Sequence, residues 1–593
     1  MLLNKDVVKV SRWISFLRYL TLFISGLLLI FAFPSFNYYL VAWIGLIPLY
    51  LLVKDLRWHK AWFAGFVWGY AWSLASCFWI REIESFIPYV FSLILACFYA
   101  FWAMAIPIAG KYLFIPVKVQ LDGFESVKKY HETHNFYFVK SIFALFLASW
   151  WCVLEWIRTC IFTGFPWNLL AVSQWKEYPI IQIASYTGIY GISFIIVFFN
   201  IALGDAILRY YSIYREGAQS QLYKKGRRPV SLYLALLLIV FSFMFGVMKI
   251  RDFNAVETGL VSFSTAVVEG NIPQCRFYDK DQAMNALKVY TKYSNDILPF
   301  NPDILIWPES AVPQPLRGGG SLSEKYRYDL KRLLDKYRIP ILLGTIDFGF
   351  GKLEKNKEVP VYNSALYIGG NGKIIDVYNK IHIVPWGEYT PFEDIYPFKY
   401  FYPWIKESFG MGRSITAGTK NTIFDFKKDV RGAVLICYED VFPEVARDHV
   451  LAGANLLILI TNDAWYPTSD EPEQHLAQAV FRAIENGRTM VRVGNITGTC
   501  VVQPIGAITD SLFHKINTKT GHLIPNPTER GEGTAIFNLK IQKNPPLTFY
   551  TKYGNVFILL CSMFSGICFL WFLYQWKEKK RLLLDLLDKN LSE

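Results

Sequence analysis

The spacing of its apolar runs restricts this chain more than any single motif does. Such runs lie at roughly 14 to 33, 38 to 53, 61 to 80, 86 to 115, 139 to 162, 180 to 208, 230 to 249 and 553 to 576. Each approaches the ~20 residues a helix needs to cross the hydrocarbon core of a bilayer. About eight spans are therefore expected, and Pro88, Pro107 and Pro116 leave the fourth with the least definite boundary. A 593-residue chain that is 53% hydrophobic and 17% aromatic is too apolar to be wholly soluble. The runs divide it into residues 1–253 with spans one to seven, a mixed-polarity domain at 254–548, and residues 549–593 with span eight and a basic tail.

Basic residues in short loops set orientation, because lysine and arginine are retained on the cytoplasmic side. Lys5, Lys9 and Arg12 precede the first span, Lys54, Arg57 and Lys60 follow the second, Lys118, Lys128 and Lys129 the fourth, Arg209 to Arg228 the sixth, and Lys577 to Arg581 the last. The alternate loops carry little beyond Arg81 and Lys176. Both termini are expected in the cytoplasm and the 254–548 domain outside. The net charge of +13 follows these loops instead of gathering on one face, which argues against nucleic-acid binding. The first apolar run exceeds a signal-peptide core and is expected to stay as a helix. Six of the nine cysteines fall in or beside spans; Cys275, Cys437 and Cys500 do not, and they show neither a disulfide pattern nor zinc-site spacing.

Between 254 and 548 the pattern changes. Apolar runs at Thr265–Val268, Ile304–Trp307, Ile341–Ile346, Ala365–Ile368, Val434–Ile436, Leu456–Ile460 and Val491–Val493 read as buried strands. Helix-like stretches at about 279 to 294, 323 to 338, 443 to 453 and 473 to 486 alternate with them. This predicts a layered α/β domain with functional groups at strand ends. Cys437 sits where a strand gives way to a helix start, a place that favours a thiolate. Glu309 lies behind the Trp307-Pro308 step at the end of a buried strand, and Lys380 follows the strand-like Ile374 to Tyr378. Each also has a plainer reading: a core cysteine, a helix-capping or surface carboxylate, a solvated lysine. Together they suggest a nucleophile with a general base and an oxyanion-binding cation.

The set Trp307-Pro308-Glu309, Tyr378-Asn379-Lys380, Pro385-Trp386-Gly387-Glu388-Tyr389, Ile436-Cys437-Tyr438-Glu439 and Thr461-Asn462-Asp463-Ala464-Trp465 resembles the nitrilase superfamily. A nitrilase-like domain inserted before the last of about eight spans resembles the apolipoprotein N-acyltransferases within it. Gly164-Phe165-Pro166-Trp167, Gly270-Asn271-Ile272-Pro273-Gln274, and Gln474-His475-Leu476 with Arg482-Ala483 and Asn486-Gly487-Arg488 resemble that family too. Pro467 and Phe277 depart from its pattern.

The resemblance implies an αββα sandwich in which Glu309 acts as general base, Lys380 stabilises the oxyanion and Cys437 is the nucleophile. Glu388, Tyr438 and Glu439 would support them. It implies a phospholipid acyl donor, a thioester on Cys437, and a diacylglyceryl-modified apolipoprotein whose N-terminal α-amine accepts the chain. It also implies a multi-pass protein of a bacterial inner membrane; a monomer is the default expectation. No metal or cofactor is expected, since the sequence offers no glycine-rich phosphate loop or histidine cluster. The aromatic stretch Tyr389 to Gly412, with Trp386, Tyr389, Phe401 and Trp404, reads either as a lipid-facing lid or as static packing. The competing function is a membrane-tethered nitrilase-type amidase acting on a small soluble substrate.

Overall fold

The computed structural model describes residues 5–112, 136–217, 228–274, 279–317, 320–348, 359–391, 396, 399–400, 414–516 and 522–592. The chain forms two compact units, Met1–Val247 with Asn555–Glu593, and Met248–Gly554.

Six helices among the described residues are long and apolar enough to cross a membrane: Trp13–Ala32, Ile87–Tyr112, Lys140–Cys160, Tyr190–Arg215, Val230–Asn254 and Val556–Leu582. Three expected spans differ. The 38–53 segment breaks into a 3-10 turn at Tyr39–Trp43 and a short helix at Ile47–Val53, with Pro48 in its first turn. Buried Asn200 serves the break: its Oδ1 accepts from Leu46 N at 3.0 Å and its Nδ2 donates to Ala42 O at 2.9 Å. Irregular backbone inside a helix bundle needs such internal partners. The 61–80 segment is a helix at Trp58–Ser76, with Lys60 and His59 at its start, followed by a 3-10 turn. The 180–208 span begins only at Tyr190, after Gly188 turns the chain with φ of +65°.

Helix pairing here depends on small residues. A Cβ on Gly65 would fall 2.4 Å from the Ala103 Cβ, and one on Gly69 would fall 2.7 Å from the Tyr99 ring. The Gly65-xxx-Gly69 stripe therefore lets two backbones meet at van der Waals distance, the main source of helix attraction where lipid removes the hydrophobic drive.

The second unit is a four-layer sandwich. One sheet has the order β14-β1-β2-β3-β4-β5, with β1 at Leu260–Glu269, β2 at Ile304–Ile306, β3 at Ile341–Phe348, β4 at Val361–Ile368, β5 at Ile374–Asn379 and β14 at Gly533–Gln542. The other has the order β11-β10-β9-β8-β7-β6, with β6 at Ile423–Lys427, β7 at Val430–Ile436, β8 at Leu456–Asn462, β9 at Thr489–Asn495, β10 at Cys500–Val502 and β11 at Ile508–Ser511. A hairpin, β12 at His514–Ile516 with β13 at Leu523–Pro525, stands apart.

Alternate residues of facing strands fill the space between the sheets: Val267, Ile306, Leu342, Ala365, Val434, Ile436, Ile458, Ile460, Val491 and Val493 are all buried there. The opposite face of the first sheet, with Ala266, Val268, Leu305 and Leu343, packs on the helices Lys280–Ile297 and Ser321–Tyr337. The helices Pro443–Leu451 and Glu471–Asn486 cover the second sheet. Strands β7, β8 and β9 run parallel, pairing Ile436 with Ile460 and Asn462 with Asn495, so their carboxyl ends form one edge.

Candidate active site

That edge gathers the residues singled out in the sequence. Cys437 leaves β7 and opens a 3-10 turn, Cys437–Val441, with φ of +52°. Ser310, beside Glu309, has φ of +54°, and Ile496, just past β9, has φ of +91°. Left-handed backbone costs a non-glycine residue on the order of 1–3 kcal/mol, and such strain concentrates at functional sites. The Glu309 turn is anchored from behind by Trp307, which is fully buried, stacks on Tyr290 and donates from Nε1 to Ser294 Oγ at 3.0 Å. It can approach β3 only because residue 344 is glycine: a Cβ there would lie 2.6 Å from the Glu309 Cα.

Lys380 is almost wholly buried, and its Nζ lies 3.0 Å from Glu388 Oε2 and 3.5 Å from Glu309 Oε1. Asn363, on β4, donates from Nδ2 to Glu309 Oε1 and to Glu388 Oε1, each at 2.7 Å. The second Glu309 oxygen accepts from Asn462 N at 2.9 Å. The Cys437 thiol interacts with Glu309, Lys380 and the Thr461 hydroxyl. Glu439 links the two sheets: Oε1 accepts from Tyr378 Oη, Ile381 N and His382 N at 2.8, 2.7 and 3.1 Å, and Oε2 from Ile436 N at 2.8 Å. The Lys380 loop and the Cys437 turn thus share one buried carboxylate. Tyr438 instead packs edge-on against Phe442, at 5.1 Å between centroids.

The ionisation pattern corrects one expectation. Burial, aided by Glu309 and only partly opposed by Lys380, pushes the Cys437 thiol well above its ordinary pKa. The helix start does not yield a resting thiolate, because desolvation outweighs it. Burial likewise raises Glu309, with Lys380 opposing. For Lys380 burial acts to lower the pKa, but Glu388 and Glu309 more than reverse it and keep the ammonium charged.

Of the expected lid, Trp386 is 39% exposed with φ of +62°, and Tyr389 is half-buried, its carbonyl accepting from Trp386 N at 2.7 Å. Phe401 and Trp404 lie outside the described residues, as do Cys275 and Phe277.

Asn363 had no motif to mark it; an asparagine beside Ser364 in a mostly apolar strand was the available signal. A buried charge cluster behind Cys437 was also not foreseen. Among the described residues, Asp463, Glu471 and His475 lie near enough to resemble a metal-binding group. Both His475 ring nitrogens are already engaged, by Asp463 at 3.0 Å and Asp440 at 2.9 Å, and Arg492 Nη2 holds Asp463 Oδ2 at 2.7 Å. Histidine and arginine supply the positive charge, so the residues fit an ion-pair network better than a metal site.

Known proteins resemble the chain along nearly its whole length. The profile described as Apolipoprotein N-acyltransferase N-terminal domain matches residues 25–202, and that described as Carbon-nitrogen hydrolase matches 265–516. A protein of Geobacter metallireducens named Apolipoprotein N-acyltransferase is 30% identical over 552 residues, covering 92% of this chain and 93% of its own. The chain belongs to the apolipoprotein N-acyltransferase family. Family members of the same name from Rickettsia prowazekii (27% identical, covering 87% of this chain and 90% of its own) and, as Apolipoprotein N-acyltransferase 2, from Treponema denticola (28%, 83% and 89%) are also similar. Among solved structures, an amidase from Nesterenkonia sp. is 16% identical, with a TM-score of 0.32, covering 51% of this chain and 96% of its own. The second unit of this family member is its carbon-nitrogen hydrolase, or nitrilase-like, domain.

Proposed function

We propose that this protein transfers an acyl chain from a membrane phospholipid, through a thioester on Cys437, to the N-terminal α-amine of a diacylglyceryl-cysteine on apolipoproteins. The observation that carries the reading is the convergence of Glu309, Lys380 and Cys437 at one sandwich edge, with Asn363 bridging Glu309 and Glu388.

Because burial keeps Cys437 a thiol, a base must take its proton as it attacks. Glu309, itself shifted upward, is matched to that task. The sulfur adds to the ester carbonyl while the proton passes to Glu309. The resulting oxyanion is stabilised by the Lys380 ammonium and the backbone N–H of Tyr438. Collapse breaks the acyl C–O bond, and Glu309 returns the proton to the leaving lysophospholipid oxygen. The α-amine of the acceptor then attacks the thioester and yields a proton to Glu309, and the thiol is regenerated as the C–S bond breaks. Glu388 holds Lys380 in place, and Tyr438 and Glu439 keep the nucleophile turn in shape.

Both substrates carry acyl chains, whose transfer into water costs roughly 0.8 kcal/mol per CH₂, so chemistry at the bilayer surface is favoured. Loop charges support cytoplasmic termini and an outward catalytic unit in a bacterial inner membrane. Five of the six long apolar helices among the described residues precede the catalytic unit, and that orientation holds when the 38–53 and 61–80 segments cross as a pair, which leaves the number odd. Trp386 and Tyr389 are assigned to a lipid-facing lid with Phe401 and Trp404.

The test is to incubate purified full-length protein with labelled phospholipid and search the Cys437 peptide for acyl mass, then add a diacylglyceryl-cysteine peptide and follow its discharge. Absence of the adduct in the native protein, or its persistence in Cys437→Ala, refutes the reading.

A further inference from the structure

The charge cluster behind Cys437 takes no part in the bond-making steps above. His475, on the inner face of the Glu471–Asn486 helix, is 1% exposed and stands between carboxylates of two other elements. Its Nε2 is 2.9 Å from Asp440 Oδ1, in the 3-10 turn that Cys437 opens. Its Nδ1 is 3.0 Å from Asp463 Oδ1, at the end of β8. An ionised carboxylate only accepts, so both contacts are hydrogen bonds when both ring nitrogens carry protons.

The surrounding charges fit that form. Arg492, on β9, holds Asp463 Oδ2 at 2.7 Å; its Nη2, 3.2 Å from His475 Nδ1, is a second donor and a like charge that opposes the imidazolium, and the two carboxylates outweigh it. Glu471, on the same helix as His475, lies 3.8 Å from Nδ1, and burial, with Asp463 beside it, pushes its carboxyl well above the ordinary range. Tyr466 is close to Glu471 and Asp463 and, being raised by burial, stays neutral. Burial acts against the imidazolium, but Asp440 and Asp463 raise His475 well above its ordinary value. Two anions, Asp440 and Asp463, then face two cations, His475 and Arg492.

This cluster touches the reacting groups through one short strand end. Thr461 donates to Asp463 Oδ1 at 2.8 Å and also contacts the Cys437 thiol, while the N–H of Asn462 holds Glu309. Asp463 itself bears on the thiol, disfavouring the thiolate. Two helical turns along from His475, Arg482 Nη1 donates to the carbonyls of Asp440 and Val441, each at 3.2 Å.

We propose that His475 is a positioning residue for the acyl transfer: as an imidazolium it fastens the turn carrying Cys437 to the end of β8 that serves Glu309, and it offsets the charge Asp463 exerts on the thiol. The proposal rests on Cys437 being the nucleophile, but its test needs neither acyl donor nor acceptor. Iodoacetamide alkylation of Cys437 is followed by mass spectrometry of its peptide, in detergent-solubilised full-length protein between about pH 7 and pH 12. In His475→Gln the rate at about pH 8 is expected to fall on the order of tenfold, and the alkylation midpoint to move to higher pH, because Asp463 is left less compensated. In acyl transfer kcat falls and KM changes little. Asp440→Asn, which keeps the imidazolium beside Asp463, slows alkylation with a smaller midpoint shift.

A His475→Gln protein with wild-type rate and midpoint overturns the proposal. So does one that is slower with an unmoved midpoint, since that reflects disturbed packing alone. If His475→Gln does not fold, wild-type alkylation and kcat in Asp440→Asn overturn it equally. If the phospholipid forms no adduct while the alkylation shifts appear, the donor assignment fails and the positioning role stands.

Discussion

Replacing Asn363 by leucine tests the proton-transfer reading most directly. One amide nitrogen donates to both Glu309 and Glu388 at 2.7 Å, and Glu309 is too buried to turn to bulk water for a substitute. A hydrogen bond to a charged group is worth about 1.5–3 kcal/mol, and 1.36 kcal/mol corresponds to one pKa unit. Losing the bond therefore raises Glu309, already lifted by burial, by about one to two further units. Only ionised Glu309 can take the thiol proton, so the acid limb of the rate profile moves to higher pH by that amount. Near neutral pH, Cys437 acylation slows by about ten- to a hundredfold and recovers as pH rises. The assay is the pH dependence of single-turnover acyl transfer to Cys437 from a labelled phospholipid in detergent, with thermal unfolding as a control. A variant that folds, loses rate and keeps its acid limb in place refutes the reasoning.

Three further outcomes are expected. Burial raises Glu269 to about 8 and Glu439 to about 7, so each contributes stability that is full below the ordinary glutamate pKa and lost as pH rises through the raised value. The thermal midpoint should fall from about pH 4.5 to pH 8, and Glu269→Gln, which removes a buried carboxylate, should flatten the upper part of that fall. Gly344→Ala drives a Cβ to 2.6 Å from the Glu309 Cα and should cost about 1–3 kcal/mol of stability with a greater loss of activity, read by paired unfolding and acylation measurements. Phe401→Ser combined with Trp404→Ser should lower transfer from long-chain donors more than from short-chain ones; equal rates would leave the aromatic stretch as packing.

The sandwich was legible because its strands carry their own signal. Val434 to Ile436 and Leu456 to Ile460 are apolar on both faces, which only a strand buried in a layered sheet tolerates, and the observed β7 and β8 contain them. Strands such as β10 to β13 were missed, since runs of three or four residues, several of them exposed, hold no periodicity to read. The break at 38–53 was missed for a related reason. Apolar composition extends through 38–53, but Gly45, Pro48 and the reach of Asn200 from elsewhere in the chain break the helix.

By itself the sequence determined that the chain would divide into apolar helices and a layered α/β unit, and which side chains carry reactive chemistry, because periodicity and residue type are local properties. Tertiary structure decided how those groups behave. Cys437 is a half-buried thiol whose surroundings disfavour the thiolate, Asn363 joins two carboxylates, and His475 stands between Asp440 and Asp463. Desolvation and charge pairing depend on what the fold packs around each atom, from residues as distant in sequence as Glu309 and Asn462, and no local pattern encodes that.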